Sequence, residues 1–142
     1  MTTETHSQNL NFVRDAVHDN LRDVLKPEAI TRELVFVDTE TTGLFHNRDR
    51  IIEIGAIKFS ATGEFMGIWH HYFDPCMSIP DEAAKVHGIS NAVMKEMIAD
   101  GRAKPLNAKS FNDFLAFIGD ATFIAHNATF DIKFLEAAAQ RL

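Results

Sequence analysis

The chain has 142 residues, 46% hydrophobic and 24% charged, a balance that suits one compact soluble domain. Its formal net charge of -6 argues against a general basic coat for nucleic acid, while leaving open a grip on phosphates through metal ions. One cysteine, Cys76, excludes an intrachain disulfide, and no apolar run approaches the ~20 residues that span a bilayer, so the sequence points to the cytoplasm and away from a membrane.

In chain order, residues 1–9 are polar and without periodicity. Leu10, Val13, Val17, Leu21, Val24 and Leu25 then recur at spacings of three and four, which predicts an amphipathic helix ended by Pro27. That helix packs either on its own domain or on another chain. Residues 1–30 are thus a tail and helix, ahead of a main domain over 31–142. "ELVFVD" predicts a strand buried on both faces, from its unbroken apolar and β-branched run. "RIIEIGAIKF" (50–59) and "EFMGIWHHYFDP" (64–75) predict two more strands, joined by a hairpin turn at Ala61, Thr62 and Gly63. Pro80 starts a short helix with Asp81 and Glu82 in its first turn, and Ser90 caps a second over 91–99. Residues 100–110 read as a loop. Its basic residues Arg102, Lys104 and Lys109 suit either contact with a nucleic-acid backbone or plain solvation. Ser110 reads as the cap of a third helix, with Asp113 completing a capping box. "ATFIAHN" predicts a short buried strand, and 128–141 a last helix with Phe130, Phe134, Leu135 and Ala138 inward. The order predicts an α/β fold: a mixed β-sheet flanked by helices.

The chemistry concentrates in "LVFVDTETTGL", 34–44. Side chains two apart on a strand share a face, so Asp38 and Glu40 project together. Two carboxylates so close raise each other's pKa unless a cation lies between them, and hard ions such as Mg²⁺ or Mn²⁺ prefer such oxygen ligands. Thr41, Thr42 and Gly43 then offer main-chain N–H groups beside the acids. In "FIAHNATFDIKFL" (123–135) a buried strand ends at His126 and Asn127, and Asp131 falls in the first turn of the next helix.

"DTETTGL", "VHGI" and "HNATFD", in this order and spacing, with "IIEIGAIKF" after the first, resemble the DnaQ-like (DEDDh) 3′–5′ exonucleases. Within that family the likeness is to the branch that proofreads for bacterial replicative DNA polymerase. It covers residue 31 to the end. The resemblance implies a ribonuclease H-like fold and hydrolysis of nucleic-acid 3′ ends to nucleoside 5′-monophosphates. It implies two Mg²⁺ or Mn²⁺ ions held by Asp38, Glu40 and Asp131. By position, Thr41, Gly43, Leu44, His87 and Phe130 match contacts to the terminal nucleotide. The implied partners are a single-stranded DNA 3′ end, with RNA as the alternative, and a polymerase subunit. The family also carries a histidine and, five residues on, an aspartate, on a helix beyond the point where these 142 residues stop. His18 and Asp23 match that spacing but precede the first strand. The resemblance therefore implies a fold lacking the family's last strand and helices, with strongly reduced or absent catalysis. It implies apolar surface exposed on the last helix and self-association through the open C-terminal edge. The rival reading is an inactive module of the same fold that binds nucleic-acid ends or a polymerase.

Overall fold

The computed structural model describes residues 32–142. The expected helix within residues 1–30 lies outside the described residues. Three strands form an antiparallel meander: β1 (Leu34–Thr41), β2 (Ile51–Phe59) and β3 (Phe65–Asp74). Then come α1 (Asp81–His87), α2 (Asn91–Ala99), β4 (Ala103–Pro105), α3 (Ala108–Ile118), β5 (Thr122–Ile124) and α4 (Ala128–Arg141). β4 joins β3 and β5 joins β1, both in parallel, giving one mixed sheet in the order β4-β3-β2-β1-β5. Among the described residues no helix is long and apolar enough to cross a membrane.

The main core lies between one face of this sheet and α3 and α4. Val35 and Val37 of β1 and Ile54 and Ala56 of β2 meet Phe111, Phe114 and Ile118 of α3 and Ile132, Phe134 and Leu135 of α4. Phe111, Phe114, Phe123 and Phe134 are fully buried. Each such side chain contributes about 1.5–3 kcal/mol relative to exposure. A smaller core of Ile52, Ile79, Ile89, Met94 and Met97 ties α1 and α2 to the β2–β3–β4 end.

Among the described residues, helices cover β1 on one face only. Val35, Val37, Thr39 and Thr41 are buried, but Phe36 is half-buried and Asp38 exposed. The two-sided burial expected from the apolar run is corrected: no helix among the described residues packs over Phe36, Ile57 and Ile68, which lie side by side across β1, β2 and β3. The last helix does not carry the expected exposed apolar surface, since its Ile132, Phe134, Leu135, Ala138 and Ala139 are all buried; part of the exposed apolar surface sits on the sheet, at Ile57 and Ile68.

The hairpin turn forms where expected, closed by the Ser60 N–H donating to the Glu64 carbonyl at 2.8 Å. Ser90 caps α2 by accepting from Val93 N. The stretch 100–110 is not all loop, because β4 pairs with Tyr72, Phe73 and Asp74. The cap of α3 is Asn107 rather than Ser110. Its Oδ1 accepts from Ser110 N at 3.0 Å, and Ser110 Oγ accepts from Asn107 N at 3.2 Å. The capping box is thus Asn107 with Ser110, and Asp113 pairs with Lys109 at 3.0 Å instead. Arg102 is also paired, with Asp100 at 2.8 Å, so two of the three basic residues in this stretch are already partnered.

Candidate active site

The acids sit where β1 leaves the sheet, and the pairing register explains their surroundings. Asp38 lies opposite Gly55 on β2, and Gly55 opposite His70 on β3. With no side chain at 55, Asp38 and His70 flank an open depression of about 470 Å³ that also touches His126 and Ile57. Glu40 lies opposite Glu53, whose Oε1 is 2.7 Å from His70 Nε2. Among the described residues Glu40 gains no such partner. Burial raises its pKa, and the charges of Asp38, Glu53 and Asp131 raise it further.

Asp131 arrives from the other side of the strand. Asn127 caps α4 by accepting from Phe130 N, which sets Asp131 in the first turn. Its side chain is only 5% exposed. Oδ1 accepts from Thr39 N at 3.2 Å and from the Thr39 hydroxyl, so the carboxylate is fastened to β1 midway between Asp38 and Glu40. Burial raises its pKa, the Thr39 hydroxyl works against that rise, and the Asp38 charge adds to it. All three acids thus share one strand end and feel one another's charge. Among the described residues no group of three metal-ligating side chains is drawn together closely enough to hold an ion as the side chains stand. The donor set nonetheless fits a hard divalent cation. It is all oxygen, its charges repel, and among the described residues neither Asp38 nor Glu40 has an ion-pair partner.

Beside Glu40 opens a cleft of about 460 Å³, and Thr41, Gly43, Leu44, His87 and Phe130 all line it. Asp38 faces the sheet depression instead, and Asp131 lies beneath both. His87 closes the cleft between α1 and β1. Its Nε2 donates to the Thr41 carbonyl at 3.2 Å, and its Nδ1 accepts from Ile89 N at 3.1 Å. Gly88 adopts φ 77° at the end of α1, where a side chain would be strained, and so swings Ile89 back to make that bond. Phe130 packs on Phe134, ring centroids 4.7 Å apart, at the cleft's other wall.

One residue of this cleft has no signal in the sequence. Asp49, in a polar stretch before β2, is buried; Oδ2 accepts from Phe45 N at 2.9 Å. Gly43 lies so close to this carboxylate that a Cβ there would collide with it. Thr42 completes the bracket, its hydroxyl accepting from Arg50 N at 3.0 Å and its N–H donating to the Arg50 carbonyl at 2.9 Å.

Residues 35–142 match the family described as Exonuclease (RNase_T). The chain belongs to this exonuclease family. It is 47% identical over 108 residues to the DNA polymerase III subunit epsilon of Rickettsia prowazekii (strain Madrid E), a match covering 73% of this chain and 42% of that protein. It is 34% identical over 132 residues to the PolC-type DNA polymerase III of Halalkalibacterium halodurans, covering 93% of this chain and 9% of that one. The chain thus spans less than half the length of these relatives. In shape it is similar to E. coli Exonuclease I solved in complex with a dT13 oligonucleotide, with a TM-score of 0.61 at 17% identity, over 74% of this chain and 23% of that one. The fold is ribonuclease H-like.

Proposed function

We propose that this exonuclease domain hydrolyses nucleic-acid 3′ ends, single-stranded DNA before RNA, releasing nucleoside 5′-monophosphates with the help of Mg²⁺ or Mn²⁺. The observation that carries the reading is the fastening of Asp131 to Thr39 between Asp38 and Glu40, with the lined cleft alongside. Asp38, Glu40 and Asp131 would hold the ions. Bound there, divalent cations supply Lewis-acid activation of water and neutralise charge on the scissile phosphate, two ions sharing these tasks. The chain's own residues do the rest. Thr41, Gly43 and Leu44 receive the terminal nucleoside along the main chain, Phe130 packs against its sugar and base, and His87 holds the cleft walls together. His87 is a strut in this reading, since both ring nitrogens are engaged. A relative that is a polymerase subunit, and a structural neighbour solved with an oligonucleotide, support a DNA end and a polymerase as partners.

The test is shortening of a 5′-labelled single-stranded oligonucleotide in Mn²⁺ or Mg²⁺, with 3′-end binding measured in parallel. Shortening by the wild type that Asp38→Ala abolishes is the expected outcome. End binding that survives while no cation supports shortening would assign the chain to a non-hydrolytic end-binding module instead.

A further inference from the structure

The mouth of the cleft carries large apolar side chains in water. Leu44 is 77% exposed, Phe45 57%, and Val86, across the opening on α1, 82%. Single exposed hydrophobics are ordinary, but a contiguous set at the rim of a polar site calls for a ligand. The Leu44–Phe45 segment is also held rigid. Phe45 O accepts from Arg48 N at 3.0 Å and from Asp49 N at 2.7 Å, and Phe45 N donates to the buried Asp49 carboxylate. Two arginines fasten the loop from behind. Arg50 Nη1 donates to Arg48 O at 2.7 Å, and Arg141 Nη2 donates to His46 O at 2.8 Å. The His46 ring meets the core edge of Phe134, centroids 6.4 Å apart. A segment tied this firmly presents Phe45 in one orientation, which lowers the entropy lost on binding.

Arg48 adds the second element. Its guanidinium lies 4.7 Å above the Phe45 ring and its side chain is mostly in solvent. The nearest carboxylate, Asp49, is 3.7 Å away and already engaged by Phe45 N. In a chain of net charge -6, a cation stacked on an exposed aromatic beside the acid-lined cleft is a local feature suited to a polyanion with flat rings. From these observations we propose that Phe45 and Arg48 form a platform for the second nucleotide of the strand. Its base stacks on the Phe45–Arg48 pair and its phosphate meets the Arg48 charge, while the last nucleotide occupies the cleft. The inference rests on the exonuclease reading and deepens it. What it adds is a contact for the second nucleotide, carried by Phe45 and Arg48 and lying outside the acid set. Asp49 is a positioning residue that acts through Phe45.

The experiment compares two probes by calorimetry in Mn²⁺: thymidine 5′-monophosphate, and a 5′-phosphorylated thymidine dinucleotide with a hydrolysis-resistant phosphorothioate link. The wild type should bind the dinucleotide more tightly. Phe45→Ala should weaken it by about five- to a hundredfold, the range for loss of one base–aromatic stack, and weaken the mononucleotide less, since Phe45 also borders the cleft. Phe45→Trp should keep the dinucleotide affinity, which a merely structural role for Phe45 would not explain. Arg48→Ala should weaken the dinucleotide more than the mononucleotide and flatten its salt dependence. A wild type that binds both probes alike, or a Phe45→Ala variant that weakens both equally, overturns the platform alone. A wild type that binds neither overturns the exonuclease reading and the platform with it.

Discussion

The two faces of β1 are treated differently by the rest of the molecule. On one, Val35 and Val37 disappear beneath four fully buried phenylalanines and the inner sides of α3 and α4, and even Thr39 is out of water. On the other, the described neighbours of Phe36 are sheet residues, Ile57 and Ile68 beside it are exposed, and the row above carries Asp38, Gly55 and His70. The covered face follows the ordinary logic of a core, in which apolar area leaves water and polar groups are paired. Among the described residues the open face breaks that logic twice, with Ile57 and Ile68 exposed and Asp38 and Glu40 without an ion-pair partner. The core thus lies on one side of the strand and the acids Asp38 and Glu40 on the other, with Asp131 crossing between them through its bonds to Thr39.

Truncating a large side chain on each face tests that division most strongly. Phe114 is fully buried against Trp69 and Phe111. Phe114→Ala should cost about 3–5 kcal/mol, from lost burial and the cavity left behind. Ile68, 61% exposed on the other face, should cost no more than about 0.5 kcal/mol as Ile68→Ala. Urea unfolding of both variants reads the difference. Equal losses would mean that something covers the open face in solution.

The link between the faces is the next target. Thr39→Val keeps the backbone N–H bond to Asp131 but deletes the hydroxyl donor that opposes the rise of its pKa. The carboxyl should become harder to ionise, and outer partners of this kind typically contribute about 10–100-fold in metal affinity or activity. Manganese titration and strand shortening should both fall by such a factor, and Thr39→Ser should restore them. If Thr39→Val titrates and cuts like the wild type, the crossing is only structural.

Much of this was legible in the residues, for identifiable reasons. The period of two places Asp38 and Glu40 on one face once the strand extends that far, as β1 does through Thr41, and the apolar run into "DTE" marks where that strand meets solvent. The first-turn position of Asp131 follows from a helix that begins just after His126 and Asn127, and the structure adds Asn127 as its cap. The illegible parts depend on partners distant in sequence. The apolar run in β1 carries no record that only one face is covered. β4 is three residues long and exists only because β3 lends it a ladder. At the start of α3, Asn107 and Ser110 satisfy each other's backbone reciprocally, so either looks like the cap until the helix is seen to begin at Ala108. Asp49 sits among Arg48, Arg50 and Asn47 as if in a solvated loop, and its burial comes from the folding of Thr42, Gly43 and Phe45 around it.

The smallest expected effect concerns the strut at the end of β1, where the covered side meets the cleft. Only a neutral ring with its proton on Nε2 lets His87 both donate to Thr41 O and accept from Ile89 N. Burial lowers its pKa below the ordinary 6.5, against smaller opposing pulls from the Thr41 carbonyl and the Glu53 charge. The unfolded chain therefore takes up the proton first as pH falls. The stabilisation is complete above pH 6.5 and is lost on acidification through the folded pKa. Glu40 and Asp131 act with the opposite sign, since their raised pKa values favour the folded state on protonation. The measurement is therefore a difference. Urea midpoints of the wild type and of His87→Gln, followed from about pH 7.5 to about pH 5, should converge as the pH drops, because the acid-sensitive contribution exists only in the wild type. Curves that stay parallel would show that His87 titrates alike in both states, and that the two nitrogens do not brace the cleft as a neutral strut.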